Sequence, residues 1–85
     1  MSFIYSLHAL EQIELRGLDK SVIGDVLKTP GNVLTDAGGV KIYQKIVNEG
    51  DKPYLYRVFV NIEKKPPLVI TAYKTSKTDR YENQI

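Results

Sequence analysis

Side-chain periodicity changes once along this chain, at Thr29-Pro30-Gly31. Before that point apolar residues recur at three- and four-residue spacing, the period of an α-helix. After it they alternate, the period of a strand. Helices first and strands afterwards imply an α+β fold. The reversals between strands are short enough for hairpins, so the expected architecture is two N-terminal helices packed on one face of a four-stranded antiparallel sheet. With 85 residues the chain has room for a single domain, 1–85, and one small core.

Local signals set the expected boundaries. Ser6 can accept a hydrogen bond from an orphan first-turn amide, and Gly17 can take the left-handed conformation that ends a helix, so a helix is expected over Leu7 to Arg16. Its core face would carry Ala9, Leu10 and Ile13, and its polar stripe His8, Gln12 and Arg16. A second helix is expected over Lys20 to Lys28, capped by Asp19, with Leu18 stapled to Ile23 and Pro30-Gly31 stopping it. Strands are expected at Val33–Thr35, Val40–Val47, Tyr54–Ile62 and Leu68–Lys74, separated by "DAGG", "NEGDKP" and "EKKPP".

Alternation then sorts the strand side chains. Placing Val40, Ile42 and Ile46 with Tyr56, Val58, Val60, Ile62, Leu68, Ile70 and Ala72 under the helices leaves Lys41, Tyr43, Lys45, Arg57, Thr71 and Tyr73 on the opposite, open face. That face mixes cations and phenols around one arginine. Beyond Tyr73 the apolar anchor ends. Lys74 to Arg80 is therefore expected as a basic arm, with Lys77 and Tyr81 as its main contacts, that orders on a polyanion or an acidic partner.

Composition removes several function classes. The chain has no cysteine and one histidine, so a cysteine or histidine metal site is not expected. No cofactor is implied, because Walker, Rossmann, nucleophile-elbow and zinc spacings are all missing. No apolar run reaches the roughly 20 residues of a membrane span and no signal peptide opens the chain, so the default expectation is cytoplasmic, without a membrane partner. The net charge of +2 is unevenly spread. Residues 1–40 hold three Lys/Arg against five Asp/Glu, and residues 41–85 hold nine against five, so the second half can steer a polyanion.

"SLHALEQIELRGL", "YRVFV" and "VITAYKTSKTDRY" together resemble a family of small bacterial domains with a His-Ala helix and a Thr-x-Tyr strand followed by Ser-Lys and a terminal Tyr. That family is grouped with RelE-like and barnase-like nuclease toxins. The resemblance implies two helices on a four-stranded antiparallel sheet, an RNA-directed toxin role and an antitoxin-like protein partner. Its pattern falls on His8, Arg16, Tyr43, Arg57, Thr71, Tyr73, Lys77 and Tyr81. The barnase-like group commonly uses a glutamate base, and no carboxylate falls on the expected open face, so the chain departs from that pattern.

Metal-independent RNA cleavage needs a base, an acid and cations around the transition-state phosphate. On this reading His8, Arg57, Tyr73 and Lys77 are the candidate catalytic residues. Arg16, Tyr43, Thr71, Arg80 and Tyr81 are the candidate RNA contacts. Each also has a plainer role: His8 in reinforcing the start of a helix, Arg16 in complementing a helix dipole, Arg57 in a cross-strand ion pair, Thr71 as a good strand former, and Tyr43 and Tyr73 in packing. A non-catalytic RNA-binding or protein-interaction module of the same fold is the alternative.

Overall fold

The computed structural model describes residues 2–79. Arg80 and Tyr81 lie outside the described residues. The fold is α+β, with two helices and one five-stranded mixed sheet. The elements, in chain order, are β1 (Ile4–Tyr5), α1 (Leu7–Leu15), α2 (Lys20–Lys28), β2 (Asn32–Thr35), β3 (Val40–Glu49), β4 (Lys52–Asn61) and β5 (Leu68–Thr75). The strand order is β1-β5-β4-β3-β2. No helix among the described residues is long and apolar enough to cross a membrane.

Local chemistry explains the helix limits. The Ala9 amide donates to Ser6 Oγ at 3.0 Å and the Ser21 amide to Asp19 Oδ1 at 2.9 Å, so both N-termini are side-chain capped. Gly17 follows α1 at φ 62°, a conformation without penalty only for glycine. Ala9 and Ile13 are buried, whereas Leu10 is 39% exposed and lies off the core face expected for it, and Ile62, also expected in the core, is exposed just past the end of β4. The core under the helices joins Ala9, Ile13, Ile23, Val26 and Leu27 to Tyr56, Val58, Val60, Val69 and Ala72.

Three features differ from the sequence-based expectation. First, the sheet gains β1, which pairs in parallel with β5 through Ile4 and Tyr5 opposite Leu68 and Val69. Two residues carry no periodicity, so such a strand is visible only through its partner. Second, β5 has a bulge. Val60 lies opposite Val69 and Phe59 opposite Thr71, leaving Ile70 as the extra residue. Val69 and Ala72, three apart, therefore both reach the core, and Ile70 leaves the set expected there.

Third, β3 presents the opposite face from the one expected. A two-residue reversal, Gly50-Asp51, sets Glu49 against Lys52 and so Tyr43 against Val58 and Gln44 against Arg57. Odd positions of β3 then share a face with even positions of β4. Lys41, Tyr43 and Lys45 consequently lie on the helix-covered side, and Ile42 and Ile46 on the other. Tyr43 packs edge-on against Phe3, with ring centroids 5.9 Å apart, and Lys45 pairs with Asp25 of α2 at 2.9 Å.

Beyond β1 the outer edge of β5 is satisfied by side chains from around α1. Ser6 Oγ approaches the Ile70 carbonyl at 3.4 Å, and Arg16 Nη1 donates to the Ala72 carbonyl at 2.6 Å. Lys74 lies within β5 rather than in a basic arm. Its ammonium pairs with Glu49 at 2.7 Å and sits 4.7 Å from the Tyr54 ring centre. Tyr56 donates its hydroxyl to the same carboxylate.

The bonds from Lys74 and then Tyr56 hold the Glu49 carboxyl below its ordinary value. Burial, and then the bond to Glu49, pushes the Tyr56 phenol up to about 12. The lowered carboxyl contributes stability above the unfolded value of about 4.3, and that contribution is lost as pH falls through the lower folded value. The raised phenol contributes below its unfolded value of about 10 and stops contributing as pH rises through about 12. In acid titrations followed by circular dichroism, Glu49→Gln should therefore flatten the loss of stability below pH about 4. An acid limb identical to wild type would contradict the assignment.

Candidate functional site

Three transverse rows run across the middle of the sheet face away from the helices, because directly opposed residues project to the same side. Asn32, Gln44, Arg57 and Tyr73 are in register across β2, β3, β4 and β5. Leu34, Ile42, Phe59 and Thr71 form the row on one side of them, and Ile46, Leu55 and Thr75 the row on the other. A polar line thus crosses a largely apolar face, in which Gln44, Leu55 and Ile42 are buried, with a half-buried arginine on the central strand.

Arg57 is held from both neighbours. Its Nε donates to Gln44 Oε1 at 3.0 Å and its Nη1 to Tyr73 Oη at 2.9 Å. Phe59 and Tyr73 flank the guanidinium, with ring centres 5.8 and 5.9 Å from its carbon. A guanidinium has five N–H donors, so three remain uncommitted among the described residues. Neither of the two ion pairs among the described residues includes Arg57. A half-buried cation thus has fixed geometry, neutral partners and donors to spare, a suitable arrangement for an oxyanion.

Gln44 sharpens this picture. It is fully buried, and its Nε2 has no hydrogen-bond partner among the described residues. Its oxygen is committed to Arg57, which fixes the amide orientation and leaves the donor orphaned. Such a group costs about 1–3 kcal/mol. What it lacks is an acceptor, the same class of group that Arg57 can bind.

The candidate residues separate as follows. Arg57, Thr71 and Tyr73 share the open face. Tyr43 lies under the helices, because the hairpin register turns it there. Exposed His8 stands on α1, on the other side of the sheet, so His8 and Arg57 do not form one centre. Arg16 is committed to the Ala72 carbonyl. Lys77 is exposed just past β5, where its amide donates to Thr75 Oγ1 at 3.1 Å. Gln44 was missed from sequence. A lone polar residue between Tyr43 and Lys45 reads as surface alternation, and the available signal was its position opposite Arg57 once the hairpin is closed by two residues.

No protein-family model, curated protein or solved structure matches this chain. The chemistry of the row therefore rests on its own geometry. Its residues bind, orient and stack; none is a carboxylate or imidazole that would take a proton near neutral pH. Among the described residues no three His, Cys, Asp or Glu side chains converge, so no ready-made metal ligand set adjoins it.

Gln44→Glu tests the electrostatics directly. The substitution removes the orphan donor and sets a carboxylate against Arg57. At neutral pH the variant should melt no lower than wild type, and it should lose ground on acidification as the carboxyl is protonated. It should also stop binding anions at Arg57, because the cation is neutralised from within. Thermal melts at pH about 7 and about 4 check this. A melting point several degrees below wild type at neutral pH would mean that the orphan-donor account is wrong.

Proposed function

We propose that this chain is an RNA-directed, toxin-like domain that holds the RNA backbone at Arg57, on the sheet face away from the helices. The supporting observation is the guanidinium fixed between Gln44 and Tyr73 with donors left over and no carboxylate partner among the described residues. In this reading Arg57 clasps a phosphate through two parallel bonds, and Phe59 and Tyr73 offer ring surfaces to a neighbouring base. Lys77 adds a point charge beyond the strand end. Thr71 lies one row away and supplies a hydroxyl. An antitoxin-like partner would act by covering the same face.

Cleavage in this reading is metal-independent. Arg57 holds the phosphate and the Tyr73 phenol, already bonded to it, is the nearest group able to pass a proton. Binding without cleavage is the second reading, and a specific observation favours it: His8 lies on the helix-covered side, which leaves the row without a base that titrates near neutral pH.

A defined single-stranded RNA separates these readings. Wild type should bind it with an affinity that falls with salt, and Arg57→Ala should weaken binding by roughly 10- to 100-fold, the equivalent of losing a charge-assisted hydrogen bond. Lys77→Ala should lower the salt slope by about 0.7. If the RNA is also cut, Arg57→Ala should reduce turnover by the equivalent of about 2–4 kcal/mol, as loss of an oxyanion donor does. Absence of both binding and cleavage by folded wild type would eliminate the RNA reading.

A further inference from the structure

A cavity lies on the helix-covered side of the sheet, between α2, the N-terminal segment and β3. It is a partly open cleft of about 470 Å³, lined by Phe3, Tyr5, Gly24, Leu27, Lys28 and Tyr43. That volume falls within the range of small-molecule sites. Phe3 and Tyr5 of the N-terminal segment meet Tyr43 of β3 there. Phe3 and Tyr43 pack edge to face at 84°, and Lys20 Nζ lies 4.7 Å from the Tyr5 ring centre.

Gly24 is the telling residue. It occupies the interior of a nine-residue helix, where glycine is unfavourable relative to alanine. Packing does not require it: a Cβ built there would meet no atom within 4 Å. Its backbone does not require it either, since Gly24 is not among the residues with positive φ. The missing side chain instead leaves part of the cavity open. Lys20, Gly24 and Lys28 are four residues apart and follow one stripe of α2, so the gap is bracketed by two cations. Neither lysine is in one of the ion pairs among the described residues.

We infer that this cavity binds a planar aromatic ring bearing an anionic group, with the ring seated over Gly24 against Tyr5 and Tyr43 and the anion drawn to Lys28. Leu27 and Phe3 supply apolar contact to the ring edge. The low rim of charge and the aromatic walls fit a mononucleotide or an aromatic carboxylate, which share this chemistry. Arg57 is on the opposite face of the sheet, so this site stands independently of the RNA reading.

The test uses the whole chain labelled with ¹⁵N, titrated separately with adenosine monophosphate, naphthoate, adenosine and inorganic phosphate. Saturable shifts of the Tyr5, Gly24, Leu27 and Tyr43 amides are expected with at least one of the first two, and the stronger of them identifies the source. Adenosine should bind at least several-fold more weakly than its monophosphate if the nucleotide is that source. Gly24→Leu should fill the gap and weaken binding at least tenfold, while its melting temperature rises because leucine favours the helix. Loss of binding in a more stable protein separates this result from misfolding. Lys28→Ala should weaken binding several-fold without displacing the ring. Three results would overturn the proposal: no saturable shifts with either anion, wild-type affinity in a folded Gly24→Leu, or the same shifts from inorganic phosphate alone.

Discussion

The two-residue reversal at Gly50-Asp51 decides which side chains of β3 and β4 share a face, and both sites inherit that decision. Gly50, at φ 65°, lets the chain turn tightly enough for Glu49 to oppose Lys52. Every later pair follows in strict alternation. Val58 meets Tyr43 on the helix side, and Arg57 meets Gln44 on the other. A hairpin loop longer by one residue would exchange those partners and place Gln44, rather than Tyr43, under the helices.

The apolar even positions of β4 determine which side the helices cover. Tyr56, Val58 and Val60 are all fully buried, and α1 and α2 supply Ala9, Ile13, Ile23 and Val26 against them. Burial of this kind is non-directional and specifies no register by itself. Directionality comes from the polar links at the edges. Arg16 and Ser6 satisfy carbonyls of β5, and Glu49 gathers Tyr56 and Lys74 at the hairpin end. Arg16 thereby acts as a clasp between helix and sheet rather than as a free cation.

Between Val69 and Ala72 the bulge at Ile70 does for β5 what the hairpin does for β3. It keeps both apolar residues in the core and leaves Thr71 and Tyr73 on the open side. Tyr73 can then meet Arg57 from one side while Gln44 meets it from the other. The cost is a buried amide donor without a partner among the described residues, retained in the row that carries the Arg57 cation across an otherwise apolar face. Unsatisfied buried groups are uncommon, and they gain meaning beside a second group that lacks the same kind of partner.

The sequence alone determined what short-range chemistry can dictate: the Ser6 and Asp19 caps, the stop at Gly17, the span of α2, the strand order from β2 to β5, and the burial of Tyr56, Val58 and Val60 in β4. Each is decided within a few residues of where it is read. Alternation along single strands also brought Arg57, Thr71 and Tyr73 to one face. Tertiary structure decided the rest. The partner of β1, the face of β3, the bulge in β5 and the pairing of Gln44 with Arg57 all depend on register between segments far apart in the chain. Alternation says that neighbours point opposite ways, but not which way. Only closing the hairpin against β4 removes that ambiguity, so Tyr43 and Gln44 exchange the faces that their own strand, read alone, suggests for them.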